Sequence, residues 1–328
     1  MNFVKNLKTK VLNGYKITKE EAIILYNSDL DELSTSANEI RKHFCGNKFD
    51  ICTIINAKSG RCSENCKYCA QSAHFDTNCE VYPLLSEDEI IDGAINNEKN
   101  SILRYSLVTS GRNLDDDEID YICNVVEKMK KTVSIEVCGS FGLLNKEQYA
   151  KLYNSGLARI HNNLETSRNY FPSMCTTHTF DDKLNSIKQA LSENMSVCSG
   201  AIFGIGESVV DRIDLAFSLA MLNIKSVPVN LLSPIKGTPC ENNTPVSEDE
   251  FLRIVCVYRF ILPDAFIRLA GGRGMLSDKG RACFMSGANA AISGDMLTTS
   301  GISIKTDLEM IYELGFEIPT PKLSILSY

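Results

Sequence analysis

Three cysteines stand close enough along the chain to act on one group. Cys62, Cys66 and Cys69 are spaced C-x3-C-x2-C within Cys62-Ser63-Glu64-Asn65-Cys66-Lys67-Tyr68-Cys69. Thiolate is the usual protein ligand of iron–sulfur clusters. Three thiolates at this spacing can hold three corners of a cubane [4Fe–4S] cluster and leave the fourth iron open to the amino and carboxylate groups of a small molecule. The competing chemistry is structural zinc, which takes four protein ligands in paired C-x2-C or C-x2-C…H-x3-H spacing. The chain's four histidines supply no obvious fourth ligand. His74 is near, but a zinc site leaves the tight triplet unexplained.

Positioning such a loop requires a scaffold, and the rest of the chain supplies the pattern of one. At 328 residues, 44% hydrophobic and 23% charged, the composition is that of a soluble globular protein with a large core. The length suits one α/β barrel of about 250 residues plus insertions. Short β-branched runs are expected as strands at 51–57, 102–108, 132–138, 157–164, 196–203, 226–232, 265–270 and 289–293. Amphipathic stretches at 88–97, 118–129, 181–193, 211–222 and 249–262 separate several of them. Capping-box patterns at Ser86–Glu89 and Ser247–Glu250 open two of these helices. Eight strands alternating with helices predict an α/β fold, a (β/α)8 TIM-type barrel over 44–328. An open doubly wound sheet gives the same alternation, so the strand count is the discriminator. Residues 1–43 are predicted to form an N-terminal helical extension, with Thr18-Lys19-Glu20-Glu21 marking a helix start. Barrel chemistry sits at the C-terminal ends of the strands, where the cysteine loop falls directly after the first.

Charge and cysteine usage narrow the partners. A net charge of −7 leaves no basic excess for nucleic acid or an anionic membrane. No apolar run approaches the roughly 18 residues of a membrane span, and residues 1–15 lack the apolar centre of a signal peptide. A cytoplasmic location is expected. Thirteen cysteines cannot all pair within one chain, and clustered thiols in a reducing compartment point to metal ligation. Cys45, Cys79, Cys123, Cys175, Cys240, Cys256 and Cys283 have no ligand spacing of their own and read as packing residues.

With Tyr68 just before its last cysteine, the triplet resembles the signature of the radical S-adenosylmethionine (SAM) superfamily. Gly200-Ala201-Ile202-Phe203-Gly204-Ile205-Gly206-Glu207 resembles that superfamily's adenine-side G-x-I-x-G-x-x-E string, in which Ile202 offers an apolar face. From about Phe44 to Leu314 the chain further resembles the biotin synthase family. The resemblance implies a sulfur insertion converting dethiobiotin to biotin, the last step of biotin biosynthesis. The cofactors it implies are a [4Fe–4S] cluster on Cys62, Cys66 and Cys69, SAM, and a second iron–sulfur cluster, [2Fe–2S] or a variant. A flavodoxin or ferredoxin as electron donor and a homodimer are implied as well.

Carried over residue by residue, Cys138, Cys198 and Arg268 match ligands of the second cluster. The family's third cysteine position holds Ser106, a harder and poorer ligand for iron–sulfur chemistry. Cys52 on the neighbouring strand is the candidate substitute. Asn163 and Glu165, in His161-Asn162-Asn163-Leu164-Glu165, match cofactor- and substrate-binding positions, and Asn230 matches the asparagine that bonds the ureido ring. Two alternatives stand beside this reading. One is a related barrel enzyme of the hydrogenase-maturation or methylornithine-forming type. The other is a non-catalytic iron–sulfur sensor, although no basic helix-turn-helix pattern is present.

Overall fold

Strand Asp50–Lys58 (β1) shows how the barrel is assembled. Thr53 points outward, its hydroxyl bonding Asn97 of the helix Glu87–Lys99, whereas Cys52 points inward onto Arg268. That alternation is the two-residue period of a strand with different surroundings on its two faces. β1 pairs in parallel with Arg104–Thr109 (β2) on one edge and with Ala290–Ile292 (β9) on the other. The remaining parallel neighbours are Glu136–Ser140 (β3), Arg159–His161 (β4), Ser196–Cys198 (β5), Ala201–Phe203 (β6), Ser226–Leu231 (β7) and Phe266–Leu269 (β8). These bounds come from a computed structural model that describes residues 2–319.

β5 and β6 are two halves of one barrel strand. Cys198 pairs with Ser226 and Ala201 with Val229, so both halves run along β7 and the sheet closes on itself. The break at Ser199-Gly200 has a steric cause. A Cβ on Gly200 would lie 1.8 Å from the Pro228 carbonyl oxygen, so only glycine lets the two strands approach there. All eight expected strands are therefore present, and closure decides for the barrel over the open sheet.

The third strand lies further along than its sequence pattern suggests. The helix Asp116–Thr132 absorbs the residues expected to begin it, with the Thr132 hydroxyl donating to the Lys128 carbonyl. The strand then runs past Cys138 to Ser140, which pairs with Val108. Two helices longer than four residues escaped the pattern reading, Lys146–Asn154 and Ile304–Glu313. The first is opened by a reciprocal Asn145–Gln148 capping box, a signal present in the sequence.

Three helices, Phe3–Leu12, Lys19–Tyr26 and Leu30–Cys45, form the extension, the second opened by the Thr18–Glu21 capping box. They bury Leu7, Leu25, Leu33 and Ile40 against Cys256, Val257 and Phe260 of the helix Glu248–Ile261. Ser247 caps that helix through the Glu250 amide, but the reciprocal half of the expected box is absent. Glu250 instead accepts from Arg212 (2.5 Å) and from the Tyr26 hydroxyl (3.0 Å), which ties the extension to the barrel wall. Among the described residues no helix is long and apolar enough to cross a membrane.

Candidate active site

At the mouth, the loop after β1 folds back on itself. The Cys62 amide donates to the Gln71 carbonyl (2.9 Å), the Ala73 amide to the Cys62 carbonyl (2.8 Å) and the Cys69 amide to the Cys66 carbonyl (3.0 Å). Gln71 adds a side-chain bond from the Gly60 amide. With backbone polarity satisfied inside the loop, Cys62, Cys66 and Cys69 are left half-buried and outside any disulfide. Burial pushes the Cys69 thiol up to about 11, so ionising it as a ligand calls for a cation in its place.

Behind Cys66 lies a constellation that sequence spacing did not reveal. Among the described residues, Cys66, Cys175 and His178 form the one group of three metal-ligating side chains whose ligand atoms lie within 4.8 Å of one another. Cys175 is 3.3 Å from the His178 Nδ1, and that nitrogen also bonds Glu64. Glu64 accepts from the Thr177 hydroxyl (2.7 Å) and pairs with Arg112 (3.4 Å). Burial opposes the Glu64 charge, but the Thr177 and His178 bonds outweigh it and hold the carboxyl below its ordinary value. The thiols of Cys66 and Cys175 face each other. Their mutual hydrogen bond pushes Cys66 up and Cys175 down, with His178 adding to the latter. Cys175 packs in the core as expected and also belongs to this constellation, for which the Cys-x2-His spacing was the only sequence signal. His74, near in sequence, bonds the Ser63 carbonyl instead.

Below the loop opens a cavity of about 340 Å³, lined by Tyr68, Asn163, Glu165, Ile202 and Asn230 among others. Glu165 has a positive φ of 70°. Its amide donates to the Gly200 carbonyl and its carbonyl accepts from the Ile202 amide, both at 2.9 Å, while Asn163 accepts from the Gly200 amide (3.2 Å). These bonds occupy the backbone freed where β5 breaks from β6, and they turn both side chains toward the cavity. Burial pushes the Glu165 carboxyl up, against the opposing pull of Lys183 and Asn163. Asn230 clamps the Ala201 carbonyl with Nδ2 and the Gly271 amide with Oδ1, both at 2.8 Å. One N–H and one lone pair remain for a bound molecule. Glu207, the last residue of the glycine string, caps the Gly204 and Ile205 amides and pairs with Arg212, so it holds the turn.

The cavity floor is a buried polar layer. Cys52, Cys138, Cys198, Ser106 and Arg268 are each at most 2% exposed. The register sets Ser106 beside Cys138 on β2 and β3. Beneath the thiols, Asp50 pairs with Arg268 (2.6 Å) and Arg104 (3.0 Å), with Arg159 at 3.9 Å. Burial alone would raise Asp50, yet these guanidinium groups hold it far below the carboxylate range. Arg268 Nη1 lies 3.3 Å from Cys52 Sγ and also donates to the Asp50 and Ala291 carbonyls. Burial works against the Arg268 charge, but Cys52 and Asp50 raise its proton affinity above the ordinary value. Burial pushes the Cys52 thiol up to about 12, while the Cys138 thiol, also disfavoured by burial, is brought below its usual value by His161. Three buried polar atoms here have no partner: Ser106 Oγ, His161 Nε2 and Arg268 Nε. Such atoms are costly when orphaned, which fits a floor shaped to hold a polar group.

The chain matches the Radical SAM superfamily over residues 57–219 and the Biotin and Thiamin Synthesis associated domain over 228–317. It is 56% identical over 312 residues to a biotin synthase of Brachyspira hyodysenteriae, covering 95% of this chain and 94% of that one. Biotin synthases of Akkermansia muciniphila and Clostridium botulinum are 54% and 53% identical over 318 residues, 97% of this chain and 99% and 100% of theirs. Among solved structures, methylornithine synthase superposes with a TM-score of 0.83 at 20% identity, covering 96% of this chain and 98% of that one. The FeFe-hydrogenase maturase HydG from Carboxydothermus hydrogenoformans gives 0.82 at 18%, covering 97% and 79%. At such identities these two likenesses concern the barrel alone.

Proposed function

The chain belongs to the biotin synthase family of radical SAM enzymes, and from that premise we propose how its residues carry out the insertion of sulfur into dethiobiotin. Cys62, Cys66 and Cys69 hold a [4Fe–4S] cluster at the barrel mouth. That cluster, when loaded, supplies the electron that splits SAM into methionine and a 5′-deoxyadenosyl radical. The donor set fits, since three thiols on one self-bonded loop leave one corner without a protein ligand.

The cavity residues orient the two small molecules. Ile202 offers an apolar face to the adenine, and Glu165 offers two acceptors to the ribose hydroxyls. Asn163 and Asn230, both fixed by backbone bonds, present donor and acceptor to the ureido group of dethiobiotin. Tyr68 and the closed barrel wall exclude water from the reacting carbons.

Cys138, Cys198 and Cys52 would hold a second iron–sulfur cluster on the floor, with Cys52 supplying the thiol that Ser106 does not, and that cluster would supply the sulfur. Arg268, which the resemblance matches to a cluster ligand, keeps its charge through Asp50 and would instead serve an anionic cluster as a hydrogen-bond donor. The observation that carries this reading is that three buried thiols outside any disulfide, Cys52, Cys138 and Cys198, come from separate strands into the barrel interior, Cys198 at the cavity wall. A flavodoxin or ferredoxin as reductant, a homodimer and a cytoplasmic location complete the proposal.

The test is anaerobic turnover of the reconstituted protein with SAM, dithionite and dethiobiotin, after loading the floor cluster with ³⁴S-sulfide. Biotin carrying the heavy isotope is expected, together with 5′-deoxyadenosine. SAM cleavage without biotin, or biotin without the label, would overturn the assignment of the floor.

A further inference from the structure

One side chain in the floor layer has no role in the scheme above. His161 lies on β4, between the strands that carry Cys138 and Cys198, and it pairs in register with Cys198. Two residues earlier on the same face, Arg159 reaches Ser196, Ser226 and Asp50 inside the barrel, so the His161 ring points inward as well. The ring lines the cavity beside Cys198. Its Nε2 is buried and has no partner. The same is true of the Ser106 hydroxyl on the strand beyond Cys138. A buried ring nitrogen without a partner is either a free lone pair or an unsatisfied donor, and a protein interior rarely tolerates either.

We infer that His161 is a nitrogen ligand of the floor cluster, binding iron through Nε2 beside the thiolates of Cys138 and Cys198. The inference rests on the reading that a cluster occupies the floor. Imidazole suits iron, and in Rieske centres it replaces thiolate on one iron. A serine hydroxyl is a poorer match, so His161 supplies a coordination position that Ser106 leaves weak. Exchanging an anionic thiolate for a neutral imidazole removes one negative charge from the cluster, which moves its reduction potential upward.

The experiment uses full-length reconstituted protein carrying ¹⁵N-histidine or natural-abundance histidine, without SAM. Pulsed EPR of the reduced clusters should show a directly bonded nitrogen that responds to the label. His161→Gln should lose that coupling. His161→Cys, which offers a thiolate, should keep the iron content and lower the potential. A floor cluster with no histidine nitrogen coupling, or with a coupling unchanged in His161→Gln, would overturn the ligand assignment alone. Iron and sulfide contents of one cubane only, in the unaltered protein, would instead remove the floor cluster and this inference with it.

Discussion

The mouth and the floor of the barrel are built in opposite ways. At the mouth, one eight-residue segment carries all three thiols, and its geometry is set by local backbone bonds among Gly60, Cys62, Gln71 and Ala73. On the floor, Cys52, Ser106, Cys138, His161, Cys198 and Arg268 come from β1, β2, β3, β4, β5 and β8, and only barrel closure brings them together. The mouth stays partly open, as a site that admits a cofactor must. The floor is buried and rests on a network of arginines and Asp50. A local site depends on spacing, and an assembled one depends on the register of every strand.

That contrast can be broken first at the mouth. Cys66→Ala should reduce 5′-deoxyadenosine formation to background and remove the cubane's iron while the floor cluster persists in Mössbauer spectra. The complementary change, Cys198→Ala, should leave SAM cleavage and abolish biotin formation. If either substitution removes both clusters, the two sites are not independent.

Next in size is the foundation of the floor. Asp50→Asn leaves buried guanidinium groups without their carboxylate, and loss of one partner from such a pair costs about 3–5 kcal/mol. The folded chain holds Asp50 below its ordinary value, so its contribution is full above the unfolded pKa of about 4 and is lost as pH falls through the folded value. The difference in chemical stability between the variant and the unaltered protein should therefore be constant near neutrality and shrink in acid. A gap that widens below pH 4 would contradict the assignment.

Cys52→Ala sharpens the comparison within the floor. It should remove the floor cluster and spare the mouth cluster, and retention of both would reject Cys52 as a ligand. The smallest effect is expected at a helix start remote from both sites. Ser86→Ala breaks the capping box of Glu87–Lys99 and should cost about 1 kcal/mol, read as a lower melting temperature with both cluster spectra unchanged.

Much of this was legible in the chain. The eight strands, the helices opened by Ser86 and Thr18 and the mouth triplet are written in two-residue alternation, capping patterns and short spacing, and each of these is a local property. The third strand was displaced because helix propensity around Thr132 prevailed over its β-branched character. Ser247 lost half of its capping box because Glu250 found stronger partners in Arg212 and Tyr26.

By itself, then, the sequence determined the succession of strands, the cysteine loop and the family. The tertiary structure alone decided that Cys175 and His178 stand behind Cys66, and that His161 and an Asp50-centred arginine network complete the floor. The physical reason is separation along the chain. Cys66 and Cys175 are more than a hundred residues apart and Asp50 and Arg268 more than two hundred, so no periodicity links them. Their contact exists only once parallel strands close and inward-facing residues share one low-dielectric interior, where each buried charge or lone pair must find its partner.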